Sequence, residues 1–303
     1  MNKIDPQLIQ KEIAVFGGRV FSSMPPDGFV AESRDLIYLR EWTPQDLLNI
    51  ARTQGCQVAI YSMSSVPESL LPFFDWVISN EKEAHHFETQ GISYPSKFRK
   101  PHLGETPALF LDRDGVVNVD HGYVGDPLRV ELIPHVAELV SKANQHHRKV
   151  IIVTNQSGIG RGFYTEENFK QVMNRISDLL NEDHAKIDFI EHSPYHPSAE
   201  KEEYRWGRQF RKPRPGMIHR AAQAQNIDLK NSRMIGDHVK DLMTAVLAGV
   251  GKIYLLATEE AMEIQMSFRE WVSDLETNHH MPNLMDGIEF HTLSGLDEAE
   301  QWY

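Results

Sequence analysis

From residue 107 onward, apolar runs of strand length alternate with amphipathic runs of helix length, and few architectures accept that order. The runs "ALFLD" at 108–112, "KVIIVTN" at 149–155, "IDFIE" at 187–191, "SRMIGD" at 232–237 and "GKIYLL" at 251–256 predict five strands. Helices are predicted from about Pro134, Thr165, Pro215 and His238. In the second of these, Phe169, Val172, Met173, Ile176 and Leu180 recur on one helical face. Thr165 is placed as N-cap, with Glu166 and Glu167 in the first turn. Alternation of this kind predicts an α/β fold with a doubly wound parallel sheet. Such sheets bind ligands beyond the carboxyl ends of their strands, beside a topological switch point.

Three of the predicted strands end in chemically active residues. Asp112 and Asp114 follow the first, Thr154 and Asn155 close the second, and Asp237 with Asp241 follow "SRMIG". Each alone reads as a turn or a helix cap. Together they predict carboxylates converging in one crevice, where they repel one another unless a cation is present, and an all-oxygen donor set suits Mg²⁺. A carboxylate nucleophile beside Mg²⁺ can take a phosphoryl group and split one hydrolysis into two transfers. A second acid two residues on can serve as general acid and then base. Thr154, nearby amides and a lysine would neutralise the non-bridging oxygens.

The segments "DRDGVVN", "TNQSG", "RKPRPGM" and "IGDHVKD" occur in that order, and over about 107–258 the chain resembles a phosphatase of the haloacid dehalogenase superfamily. That resemblance implies Asp112 as nucleophile, Asp114 as general acid and base, and Thr154 and Lys212 as phosphate ligands. It also implies Mg²⁺ held by Asp112, the Asp114 carbonyl and Asp237, with Asp241 as a further acid that orients Lys212 or the metal's waters. "DRDGVVNVDHGYV" followed by "NQSGIGRGFYTEENF" is similar to the heptose 1,7-bisphosphate phosphatases, whose relatives are histidinol phosphatases, and "HGYV" at 121–124 favours the heptose side. Carried over, Asn155, Arg161 and Arg211 become sugar-phosphate contacts; their plain reading is a turn asparagine and two surface arginines. About forty residues separate Asp112 from Thr154, too few for a cap domain, so a capless site closed by loops is expected. Members with a zinc loop carry a C-x-H and a C-x-C before the lysine motif. Here Ser193, Tyr195, Arg208 and Phe210 stand at those positions, so no zinc is expected. His192 and His196 then read as surface or substrate-facing groups, and the loop is expected to be held by packing through Tyr204, Trp206 and Phe210.

"YPSKFRKPHLGETP" at 94–107 reads as a connector, which gives a phosphatase-like domain over 107–303 and a smaller α/β accessory domain over 1–100. Residues 35–87 read as strand, helix, strand, helix, strand. Their end, "FFDWVISNEKEA", resembles the N-x-x-E segment of ribokinase-type sugar kinases, with Asn80 and Glu83 at the matching positions. A partial or degenerate kinase-like domain is one reading, and a generic accessory or dimerisation domain the other. Past Thr258 an inserted helix and loop are expected, with His279 and His280 solvated, then a strand at "IEFHTL" and a helix at "GLDEAEQWY".

Composition narrows the partners. The net charge of -12 opposes a phosphate backbone over most of the surface, and "RWGRQFRKPRP" at 205–215 is the one candidate basic patch. No run of eighteen apolar residues occurs, and "MNKIDPQLIQKEIAVF" lacks a signal peptide's basic start and apolar core, so a cytoplasmic protein is expected. The single Cys56 leaves no disulfide framework. The expected partner is a small sugar phosphate, with neither nucleic acid nor membrane, and oligomeric state is left open. The alternatives are a histidinol-phosphate or other small phosphomonoester phosphatase, a non-catalytic interaction protein on the same fold, and a nucleic-acid 3′-phosphatase.

Overall fold

The computed structural model describes residues 105–205, 210–257, 259–277, 284–300 and 302, together with the backbone of four short strands nearer the amino terminus. Asn80, Glu83, Cys56, Trp206, Arg208, His279 and His280 lie outside the described residues. The chain divides into two compact units: Met1–Lys100 with Ser273–Leu284, and Pro101–Val272 with Met285–Tyr303.

In the first unit β1 (Val20–Phe21), β2 (Leu36–Leu39), β3 (Gln57–Tyr61) and β4 (Trp76–Ile78) pair in parallel in chain order. Strands β2 to β4 fall within the stretch read as strand, helix, strand, helix, strand. The helices expected between them lie outside the described residues.

The second unit carries a six-stranded sheet: β5 (Ala108–Leu111), β6 (Lys149–Asn155), β7 (Phe189–Ser193), β8 (Arg233–Gly236), β9 (Lys252–Leu256) and β10 (Glu289–Leu293). The order is β10-β9-β8-β5-β6-β7, and every pairing is parallel. The chain runs outward from β5 to β7 and then returns to β8 on the other side of β5. The switch point therefore lies beyond β5, between β6 and β8, where strand ends leave a crevice. All four residues of β5 are fully buried, as a central strand with both faces covered must be.

Among the described residues the helices are α1 (Val136–Gln145), α2 (Ser157–Gly160), α3 (Glu166–Asn181), α4 (Gly216–Gln225), α5 (Val239–Ala248), α6 (Ala261–Thr277) and α7 (Leu296–Glu300). Helix α3 buries Phe169, Val172, Met173, Ile176 and Leu180, the face its periodicity predicts. Its first turn is closed by a capping box, in which Thr165 Oγ1 accepts from Asn168 N and Asn168 Oδ1 accepts from Thr165 N. Burial of that face contributes at most about 1.5–3 kcal/mol per large side chain. Between β5 and β6 the chain holds α1 and one 3-10 turn, Pro127–Arg129. No cap domain is inserted there.

Candidate active site

The turn after β5 is built to present carboxylates. Asp112 N still donates to Ile235 O on β8 (3.1 Å), so Asp112 is fixed at the carboxyl end of the central strand. The backbone then folds back, with Val117 N and Asn118 N both donating to Arg113 O and Gly115 N donating to Asn118 O. Gly115 lies at φ +81, and a Cβ built on it would fall 1.8 Å from Asp237 Oδ2. Only glycine allows both the left-handed backbone and the approach of the β8 loop.

Strand β8 delivers Asp237, and the start of α5 delivers Asp241. Asp241 Oδ2 accepts from His238 N (3.0 Å) and so anchors the first turn of α5, while its Oδ1 lies 2.5 Å from Lys212 Nζ. Lys212 Nζ also pairs with Asp112 Oδ2 at 2.8 Å. Lys212 and Asp241 are buried. Burial alone would lower the lysine's pKa, but Asp112 and Asp241 outweigh it and hold the ammonium well above its ordinary range. The carboxylates show the converse. Burial, offset in part by Lys212, and then Asp241 push Asp112 up to about 7. Burial, followed by Asp112 and Asp241, pushes Asp237 up to about 8.

Three carboxylates against one ammonium, Asp112, Asp237 and Asp241 with Lys212, leave −3 + 1 = −2 when all are charged. Each of the three acids offers an oxygen, and these oxygens lie within 4.8 Å of one another. The excess charge and the purely oxygen donor set fit a hard divalent cation.

Asp114 leaves the same turn but is held separately. Arg113, whose side chain is fully buried, donates from Nη2 to both carboxylate oxygens (2.7 Å each) and from Nε to Oδ1 (3.0 Å). Asn118 Nδ2 adds a bond to Oδ1 (3.1 Å), and Gln156 Nε2 one to Oδ2 (3.0 Å). The Gln156 amide also donates to Thr154 Oγ1 (2.8 Å) at the end of β6.

The remaining residues singled out from the sequence divide. Asn155, expected on the sugar phosphate, uses its amide on the Lys212 backbone instead. Its Oδ1 accepts from Lys212 N (3.0 Å) and its Nδ2 donates to Lys212 O (3.2 Å). Asn155 is thus a brace that sets the buried lysine against Asp112. Arg161 and Arg211 lie near one another: burial lowers the pKa of Arg211, and Arg161 adds to the lowering. Lys240, which sequence reading passed over, extends this cationic group, its pKa lowered by burial and then by Arg211. Arg161 Nη1 donates to Tyr123 Oη (2.5 Å), and its guanidinium stacks over the exposed rings of Tyr123 and Phe163.

Of the positions that carry zinc ligands in zinc-loop members, Ser193, Tyr195 and Phe210 are described, and each is packed or buried. Ser193 and Phe210 are buried. Arg220 lies over the Phe210 ring at 4.5 Å and donates to Glu191 from both Nε and Nη2. Tyr195 and Tyr204 make a tilted ring contact at 6.4 Å. His192 Nε2 pairs with Glu166 (2.8 Å) and stacks on Phe169, and His196 Nδ1 accepts from Ser198 N (3.1 Å). Both histidines serve local structure. Arg220 and Glu191 give no signal in sequence, because a single charge on a helix and one in a strand usually face solvent.

Residues 130–283 match the family described as polynucleotide kinase 3 phosphatase, a stretch that includes Thr154, Lys212, Asp237 and Asp241. The chain is 40% identical over 185 residues to the D-glycero-beta-D-manno-heptose-1,7-bisphosphate 7-phosphatase of Photorhabdus laumondii, covering 60% of this chain and 97% of that one. It is 40% identical over 152 residues to the protein of the same name from Escherichia coli K12, covering 50% of this chain and 80% of that one. Among solved structures, the D,D-heptose 1.7-bisphosphate phosphatase from B. bronchiseptica, complexed with magnesium and phosphate, superposes with a TM-score of 0.52 at 25% identity, over 65% of this chain and 98% of that one.

Proposed function

Because this chain belongs to the haloacid dehalogenase superfamily of phosphatases, we propose that it removes the 7-phosphate of D-glycero-D-manno-heptose 1,7-bisphosphate through an aspartyl phosphate on Asp112. The observation that carries the chemistry is the meeting of Asp112, Lys212 and Asp241 within ion-pair distance, beside Asp114 and Thr154. The substrate rests on the likeness to the heptose phosphatases.

An Asp112 carboxylate oxygen attacks phosphorus, and the bond from phosphorus to the sugar oxygen breaks. Asp114 gives its proton to the departing sugar oxygen. It then takes a proton from water, whose oxygen attacks phosphorus and releases Asp112 and inorganic phosphate. Lys212 serves by charge, held against Asp112 by Asn155, and Thr154 donates its hydroxyl to a non-bridging oxygen. Asp112, the Asp114 carbonyl and Asp237 would hold Mg²⁺, with Asp241 beside them; the ion when bound withdraws charge from the phosphoryl oxygens. Arg161 and Arg211 would meet the remote part of the substrate.

Purified protein with MgCl₂ is to be assayed against heptose 1,7-bisphosphate, histidinol phosphate, other sugar phosphates and an oligonucleotide 3′-phosphate, with Asp112→Asn as the blank. Fastest release from the heptose bisphosphate, and none by the variant, is expected. Equal release by the variant would remove Asp112 as nucleophile. Preference for the oligonucleotide would move the substrate to that named by the matching family.

A further inference from the structure

Asp114 is tied to a second hydrogen-bonded chain that reaches away from the reacting centre. The Tyr164 hydroxyl donates to Gln156 Oε1. The Gln156 amide then donates to both Asp114 Oδ2 and Thr154 Oγ1. Gln156 and Thr154 are buried, and Tyr164 is partly buried. We propose that Tyr164 and Gln156 are a positioning pair for the phosphoryl transfer, fixing the acid-base carboxyl of Asp114 and the hydroxyl of Thr154 relative to each other; this rests on the reading of Asp114 as general acid and base.

The pair works through the orientation of one amide. A carboxamide can present either oxygen or nitrogen to a neighbour, and both faces of Gln156 are occupied. With its oxygen toward Asp114 it would set two acceptors against each other. With its nitrogen there, as found, the oxygen must be satisfied on the other side, where the Tyr164 hydroxyl meets it. Burial pushes the Tyr164 phenol well above its ordinary value, so it remains a donor at every working pH.

The phenol is itself held in a slot made by missing side chains. A Cβ on Gly125 would fall 2.5 Å from Tyr164 Cγ, and one on Gly158 would fall 2.2 Å from Tyr164 Cε1. The ring thus lies flush against two stretches of bare backbone, one in the loop before α1 and the other in α2. Because Gln156 bonds to Asp114 after β5 and to Thr154 at the end of β6, misplacement of its amide misplaces a group on each strand. Neither Tyr164 nor Gln156 need touch the substrate to have this effect.

The test compares Tyr164→Phe, which keeps the ring in its slot and deletes one hydroxyl, and Gln156→Met, which keeps the length and deletes the amide. With 4-nitrophenyl phosphate the leaving phenolate needs no proton, so transfer to Asp112 loses only the ordering of Thr154, while the later attack by water, which needs Asp114 as base as well, slows more. Rapid quench should therefore show a larger burst of 4-nitrophenol in the variants, rising toward one equivalent per enzyme. Steady-state kcat should fall about tenfold in Tyr164→Phe and about a hundredfold in Gln156→Met, within the range that acid-base groups supply, and KM should fall with it, because slowing the second step lowers both. Unchanged kcat in both variants would overturn the proposal. So would a fall in kcat with no added burst, which would mark a loss spread over both steps by a damaged fold. Wild-type protein inactive on both 4-nitrophenyl phosphate and heptose 1,7-bisphosphate would instead remove the phosphatase reading, and the pair with it.

Discussion

Gly115 joins backbone geometry to charge. It occupies φ +81, and its missing side chain leaves the space that Asp237 fills. Gly115→Ala should leave the fold standing but displace Asp237, with activity reduced by about a hundredfold or more, as a misplaced charged group in a preorganised site implies. Circular dichroism beside the phosphate-release assay separates the two effects. His219 tests a different residue-scale consequence. It is buried in α4 and, though a hydrogen bond with the Ala248 backbone works against the shift, burial lowers its pKa from 6.5 to about 4. The unfolded chain accepts a proton that the folded one resists, so this contribution to stability is whole above pH 6.5 and is lost as the pH falls toward 4. The loss is on the order of 3 kcal/mol. Denaturant unfolding at pH 7.5 and pH 4.5 should show a smaller drop for His219→Asn than for wild type. Asp112, Asp114, Thr154, Lys212, Asp237 and Asp241 were legible in sequence because strand ends and short motifs mark them. Gln156, Tyr164 and Lys240 were not, because an amide, a phenol and a surface-type lysine near a motif carry no period or spacing that separates them from ordinary loop residues.

Helix α3 shows how far local pattern reaches at the scale of an element. Its N-cap and its whole buried face follow from spacing alone, since a 3.6-residue period needs no knowledge of the partner surface. Thr165→Ala should cost about 1 kcal/mol of stability with kcat unchanged, measured by denaturant midpoint and phosphate release. The stretch from Tyr195 to Phe210 is the opposite case. Its Phe210 ring lies under Arg220 of α4, which in turn pairs with Glu191 on β7, and no local rule brings those residues together. Sequence could say that zinc ligands are missing there and that an aromatic residue would pack, but not that a guanidinium paired with a buried carboxylate would lie over Phe210.

Over the whole molecule, a chain of net charge -12 collects a further excess of negative charge in one crevice and sets Arg161, Arg211 and Lys240 near one another. Magnesium should therefore stabilise the folded state by mass action, by about 2.7 kcal/mol at a hundredfold excess over its dissociation constant. A melting temperature that rises with MgCl₂ in wild type and stays level in Asp237→Asn is the expected result. The six-stranded sheet was legible because alternation dictates it. The first hundred residues gave the expectation of a smaller α/β domain with a kinase-like segment, whose Asn80 and Glu83 lie outside the described residues.

The pairing of β5 with β8 carries a last consequence. Ala108 N donates to Ser232 Oγ across 124 residues of chain, and Asp112 and Asp237 leave neighbouring strands from that same seam. The reacting centre therefore cannot be preassembled from any local piece of the polypeptide. A ribosome must have released residues well past Asp241 before the first turnover, and in refolding the recovery of activity should trail the return of helical signal by the time needed to close that long loop. Turnover in this enzyme thus doubles as a clock for the closing of its β5–β8 seam.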